Sequence, residues 1–226
     1  MVNSISKIVQ NLIDGDLSLQ DALQRDYGNY SAIARMLKPK VEEFLGHDVK
    51  LESVITSVKR AKAGYKLLRG KITKVVAGSV INIRTDVAKI SVEKAKRNLE
   101  KMRKTLADFP EEFFQVIEGI SAITLIFDQK LFDKIYPIFR ERDVLDKRQN
   151  LATIIIRSPD EIIDTPGCVL AFYNTVSRRH INMEETMSCF TDTIIVLGME
   201  DVSKAFAALT DLITEARKQS EGTSRK

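Results

Sequence analysis

Apolar residues in the first third of the chain recur at helical spacing. Ile5, Ile8, Val9, Leu12 and Ile13 fall on one face of a 3.6-residue period, and Gly15 stops that helix. Ser18, with Asp21 three residues on, reads as the N-cap of a second helix that ends at Gly28. Asn29 or Ser31 caps a short third helix holding Ile33, Ala34 and Leu37, and Pro39 opens another at its first turn, closed by Gly46. Leu51, Val54, Ile55 and Val58 line a further helix that runs into Lys59, Arg60 and Lys62. Short helices joined by short turns predict an all-helical, helix-turn-helix-like module over residues 1–70.

From Lys71 the period changes. Lys71–Val76 and Val80–Val92 are rich in β-branched residues and predict strands. Ala95, Leu99, Met102 and Leu106 return to helical spacing; strands Phe113–Glu118 and Ser121–Phe127 follow around Gly119, then a helix marked by Leu131, Ile135 and Ile138. The same order recurs downstream: strand Leu151–Arg157, helix Gly167–Arg179, strands Ile181–Ser188 and Thr193–Met199, and a long helix from Asp201 with Ala205, Phe206, Leu209, Leu212 and Ile213 as its buried stripe. The expected fold class is therefore α+β, an N-terminal all-helical module followed by two ferredoxin-like βαββαβ units over residues 71–148 and 149–218, with a polar, frayed tail over 219–226. Each unit makes an antiparallel sheet with its helices on one face. The second unit has no strand after its last helix, and Lys71–Val76 is the expected donor of the missing one.

Charge adds a functional direction. Residues Leu51 to Pro110 carry 15 Lys and Arg against 5 Asp and Glu, a net of +10 in a chain whose total is only +4. Such a block suits an anionic partner, nucleic acid first; the plainer reading is a solvated basic face balanced by the acidic remainder of the chain. No apolar run reaches the ~18 residues of a membrane span, the first 20 residues hold no apolar block of a secretory signal, and two cysteines without a CxxC spacing give neither a disulfide scaffold nor a zinc ribbon. A cytoplasmic protein without membrane contact is expected.

Catalytic constellations are missing from the sequence. It contains no GxGxxG, Walker-type loop, GxSxG or HExxH. His47 and His180 fall in different modules without metal-ligand spacing, and His180 reads as a residue at a helix C-terminus. Glu184-Glu185 reads as a solvated strand face. Cys168 sits where a helix N-terminus lowers a thiol pKa in principle, although a small buried residue is the plainer role. Met187 and the Phe residues at 113, 114, 127 and 132 read as core or interface. No enzyme, no cofactor and no metal site are expected.

Leu151-Ala-Thr-Ile-Ile-Ile-Arg157, then Asp164-Thr165-Pro166-Gly167-Cys168-Val169-Leu170, then His180-Ile181-Asn182-Met183 together resemble an ACT domain: an apolar strand, a Pro-Gly-Val-like turn into a helix, and an Ile-Asn-Met strand start. The match covers Leu151 to about Arg217. Residues 80–142 resemble a divergent first copy, in which Glu93-Lys94-Ala95 replaces the Pro-Gly turn. The arrangement is similar to archaeal predicted regulators of amino-acid metabolism that contain an ACT domain. The resemblance implies amino-acid sensing, and the residues themselves suit it. Thr165 is expected to cap the helix, with Pro166 at its first position and Gly167 allowing close backbone approach. The N–H groups of Gly167, Cys168 and Val169 would then take a carboxylate, and Asn182, at a strand start with Met183, would take an α-amino group, helped by Asp164.

Two outputs follow. In the first, the helical module binds DNA, with Ser53, Thr56, Lys59, Arg60, Lys62, Lys66 and Arg69 reaching bases and phosphates. In the second, the module grips a biosynthetic enzyme and nucleic acid plays no part. Pairing of ACT units, whose sheets leave edges and one bare face, is expected to give a homodimer.

Overall fold

The computed structural model describes residues 4–223 and, within them, every side chain except those of residues 63–69 and 222–223. Four helices precede the first strand: α1 (Ile5–Asp14), α2 (Leu17–Gln24), α3 (Tyr30–Leu45) and α4 (Leu51–Ala77). Ser4 caps α1 and Asn29 caps α3, each through a side-chain oxygen that accepts first-turn N–H groups. The α2 cap is Asp16 rather than Ser18. Its carboxylate accepts the N–H groups of Ser18 and Leu19, and a charge at a helix N-terminus outweighs a hydroxyl two residues later. That helix also ends at Gln24, before Gly28.

Pro39 does not open a helix. It lies inside α3, where its ring costs one backbone hydrogen bond, and the helix continues because Ile33, Ala34, Leu37 and Val41 bury one stripe on both sides of it. Gly46 then closes α3 with φ 71°, a left-handed conformation that glycine takes without a Cβ penalty. The segment Lys71–Val76 is also helical, correcting the strand expected there. Val75 and Val76 are each only 2% exposed as the buried side of α4, so packing overrides their β preference.

The chain divides into two compact units, residues 1–73 and 74–226. The first is helical, with Val9, Ile13, Leu23, Ala34, Val41, Val54 and Val58 at its centre. The second is built as β1 (Val80–Glu93), α5 (Lys96–Asp108), β2 (Phe114–Glu118), β3 (Ala122–Asp128), α6 (Phe132–Ile135), β4 (Val144–Arg157), α7 (Cys168–Ser177), β5 (Glu185–Cys189), β6 (Asp192–Gly198) and α8 (Val202–Thr223), which continues helical where a frayed tail was expected. Its six strands lie in the order β2-β3-β1-β4-β6-β5, every neighbour antiparallel.

The two central strands are long because each serves two halves of the sheet. Val87–Glu93 of β1 pairs with β3 on one side and with the first half of β4 on the other. Val80–Arg84 pairs with the second half of β4, whose other side carries β6. The strand that completes the downstream half is therefore Val80–Arg84, not Lys71–Val76. The expected boundary between residues 148 and 149 falls inside β4. Both strands change register at the crossing point, where Asp86 (φ 54°) and Asn150 (φ 56°) take the left-handed conformation typical of a bulge.

One face of the upstream half packs Ala88, Ile90, Val92, Ile123, Leu125 and Phe127 against Met102 of α5 and Leu131, Phe132 and Ile135 around α6. The opposite face is not bare as expected. Val87, Ile126, Leu151 and Val196 form a second buried cluster there, flanked by Phe113, Ile117 and Met187. On a flat sheet Lys89 and Glu185 would lie about 20 Å apart, three strands across and several residues along. Lys89 Nζ nonetheless lies 3.3 Å from a Glu185 carboxylate oxygen, 3.4 Å from Glu184 and 3.2 Å from Asp146. The long side chains cover part of that distance and the curl of the twisted sheet covers the rest, bringing β5 toward β1 on this face.

Candidate effector site

β4 ends at Arg157, and the chain enters a 3-10 turn over Asp160–Ile162 pinned by buried Ile162. The next five residues lead into α7, and here the local geometry differs from the expected cap. Thr165 is buried, and its hydroxyl donates to the Glu161 carbonyl at 2.6 Å, back into the 3-10 turn. A buried hydroxyl needs a partner, and the Glu161 carbonyl four residues back supplies it. Pro166 consequently sits in the turn, ahead of the helix. Gly167 becomes the N-cap, with φ 92° and ψ −8°, and α7 has no side-chain cap.

The exposed turn therefore presents backbone. The Cys168 N–H makes only a long contact, 3.5 Å, to the Thr165 carbonyl, and helix geometry leaves the next amides without intrahelical acceptors. Asp164, Pro166 and Gly167 are exposed, and Val169 is half-buried. The Cys168 thiol is buried, and desolvation pushes its pKa up to about 11, opposite to the lowering that a helix N-terminus gives in principle. It is a packed neutral thiol.

Asn182 and Met183 belong to the irregular segment before β5, which begins at Glu185 rather than at Ile181. Asn182 is exposed, and its amide nitrogen donates to Glu184 at 3.1 Å; Met183 is half-buried. Glu184 and Glu185 are not a solvated strand face. They are partly covered carboxylates gathered with Asp146 around the buried Lys89, a cluster whose members lie too far apart in the sequence for any spacing to reveal it.

The residues expected to meet nucleic acid separate into two groups. Ser53, Thr56 and Arg60 share one face of α4 and line a cavity of about 420 Å3 with Ser4 and Ser6 of the α1 start. Lys62 is engaged within the fold: it contacts the Asp26 carboxylate and donates to the Tyr30 hydroxyl at 2.6 Å. Lys59 and Lys62 also stand over the Tyr30 ring, at 5.9 and 5.3 Å from its centre. The side chains of Lys66 and Arg69 lie outside the described residues. Among the described residues no cluster of His, Cys, Asp and Glu could hold a metal ion, and no helix is long and apolar enough to cross a membrane.

No family model matches the chain, and no curated protein matches it. Solved structures do. The aspartate kinase from Synechocystis is similar at 14% identity and a TM-score of 0.53, over 61% of this chain and 27% of the enzyme. The regulatory subunit of aspartate kinase from Thermus thermophilus is similar at 13% identity and a TM-score of 0.50, over 58% of this chain and 95% of the subunit. The aspartate kinase from Clostridium acetobutylicum gives 18% identity and a TM-score of 0.49, over 60% of this chain and 34% of the enzyme. The chain thus spans about a third or less of these two full-length kinases and nearly the whole of the free regulatory subunit. At such identities the likeness is one of fold, and that fold is ACT-like: α+β, with an antiparallel sheet and packed helices.

Proposed function

We propose that this chain is a regulatory protein whose sheet unit comprises two ferredoxin-like, ACT-type halves, and that the downstream half senses a free amino acid at residues 164–169. The observation that carries the reading is the exposed Gly167 turn, where a left-handed glycine caps α7 with no side chain, so first-turn amides face an incoming carboxylate. Asn182 offers its amide oxygen to the α-amino group while its nitrogen stays on Glu184. The fold shared with a regulatory subunit of aspartate kinase supports a regulatory role. The upstream half has no equivalent opening. Arg97, in the first turn of α5, is closed onto the Asp143 carboxylate by bonds of 2.8 and 2.6 Å, so a side chain of the protein itself occupies that helix start.

Calorimetry with the free amino acids tests this. The wild type is expected to bind one of them, Gly167→Leu to lose it, and Asn182→Ala to weaken it roughly tenfold by leaving a polar group unpaired. Glu93→Ala should bind as the wild type does. If no amino acid binds, or if both downstream variants bind unchanged, the reading fails.

The output in this proposal is a partner protein, met by the helical unit, and no catalytic step belongs to the chain itself. Engagement of Lys62 by Asp26 and Tyr30 removes one of the cations a DNA-binding helix would offer. Arg60, Ser53 and Thr56 remain on an open face, and they favour nucleic acid as the alternative output. Retention of duplex DNA at low salt, falling steeply with ionic strength and reduced by Arg60→Ala, would transfer the output to nucleic acid. Its absence at low salt is the expected result. Pairing of two copies through the sheet edges β2 and β5 completes the proposal.

A further inference from the structure

We infer that the last turn of α4 is latched to the segment that carries the effector turn, so that residues 74–79 and 158–165 open and close together. The use of the latch rests on the effector reading, whereas its existence rests on the contacts below.

Ser79 is the residue between the end of α4 and the start of β1 in which no surface is exposed. Its hydroxyl lies 2.9 Å from the Val75 carbonyl and 3.0 Å from the hydroxyl of Ser158, itself buried just after β4. Next to it, Gly78 has no room for a Cβ: one built there would stand 2.6 Å from Cγ of Pro159. The helix-end carbonyls are not left open either. Arg217 of α8 donates from Nε to the Ala77 carbonyl at 2.9 Å and from Nη2 to the Ser79 carbonyl at 3.0 Å. One turn back, Lys74 pairs with Glu161 at 3.6 Å, and the Glu161 carbonyl is the acceptor for Thr165. The contacts run without a gap from the end of α4, through Ser158, Pro159 and Glu161, to the residue two before Gly167.

The other half of the sheet supplies the comparison. Val80 opens β1 opposite Arg157 of β4, and Val144 opens β4 opposite Val92 of β1, so Ser79 and Asp143 occupy matching places ahead of the two shared strands. Both are buried; Ser79 binds the segment that leads into α7, and Asp143 binds the first turn of α5. Asp143 is fastened by an ion pair with Arg97, whose hydrogen bonds hold the Asp143 carboxyl down to about 2. Ser79 is fastened to Ser158 by a neutral hydroxyl pair, a weaker kind of bond than a charge-assisted one. Arg217 ties the helix end to α8 rather than to Ser158, and the Lys74–Glu161 pair is exposed at both ends, where an ion pair is worth little. The same joint is thus firm in the half without a glycine turn and light in the half that has one. A light joint is what a transmitted movement requires, because ligand binding can bias only an element with two accessible arrangements.

Amide exchange read by mass spectrometry on the full chain tests the latch. Arg217→Met removes an exposed side chain from the surface of α8 and is expected to speed exchange roughly tenfold in residues 74–79 and in 158–165 together. Ser158→Ala should do the same from the other side, with α5 and β3 unchanged in both variants. Acceleration confined to one of the two segments in both variants would overturn the inference. An amino acid that binds by calorimetry should slow both segments; binding with no change in 74–79 overturns the latch and leaves the effector reading standing. If none binds, the effector reading falls, and the exchange in the two variants still decides the latch.

Discussion

A chain limited to residues 143–226 is expected to show no cooperative unfolding transition, whereas residues 74–226 should unfold in one step. The shorter chain keeps β4, α7, β5, β6 and α8 but loses Val80–Arg84, which pairs with Arg157–Thr153 along the other edge of β4. It also loses Val87–Val92, the partner of the first half of β4. The backbone groups on that edge would stand open, and the fully buried Ile154 and Ile156 would lose neighbours that shield them from water. Residues 74–142 fail for the reciprocal reason, since β1 loses β4. Mixed in equal amounts, the two fragments are expected to restore the transition, because each carries the half-strands that the other lacks. Circular dichroism melts and sedimentation decide this. A monomeric 143–226 fragment with a cooperative melt would show that the downstream half does not depend on β1.

Lys89→Met should cost about 2–3 kcal/mol at pH 7, below the ~3–5 kcal/mol of breaking a fully buried ion pair because the carboxylates are partly exposed. Methionine keeps the length of the side chain, so the loss reports charge rather than volume. Asp146, Glu184 and Glu185 would then face one another with Arg148 as their neighbouring cation. Burial works to lower the Lys89 ammonium, but its bonds to Asp146 and Glu185 raise it above the ordinary lysine range, so the deficit is full at pH 7 and shrinks as pH rises through that raised value. Adding Glu184→Gln and Glu185→Gln to Lys89→Met should recover most of the loss at pH 7. Denaturant titrations across this pH range measure both effects. A cost under about 0.5 kcal/mol would mean that the cluster behaves as solvated surface charge.

Legibility from sequence was uneven, for reasons that lie in particular residues. The helical front followed its apolar period closely, since Ile8, Val9 and Ile13 are buried and Gly46 ends α3 as a left-handed residue. Strand positions near β3 and β6 were equally plain, as apolar runs that only Thr124 interrupts. Lys71–Val76 misled because β-branched residues can sit on the packed side of a long helix. Sharing of β1 and β4 was invisible, because pairing partners leave no mark on alternation; only Asp86 and Asn150, unremarkable as letters, record the crossing. At the candidate site the local geometry departs from the one the letters suggest. Thr-Pro-Gly reads as a cap, yet the threonine hydroxyl turns inward to Glu161 and leaves the backbone to face solvent.

The exchange of strand halves also gives synthesis of this chain an order. The helical front can pack once α4 has begun, using contacts local to its own residues. Val80, by contrast, meets Arg157 only after about 75 further residues have been made. At ~5–20 residues per second this is a wait of ~4–15 s, with β3 arriving midway to close one side of β1. Throughout that interval Val87–Val92, a continuously buried run in the finished sheet, is a nascent strand with an open edge. Ribosome-associated chaperones would meet this chain between Glu93 and Val144, and a translation pause placed there would lengthen its exposure, whereas one placed after Arg157 would find the sheet able to close.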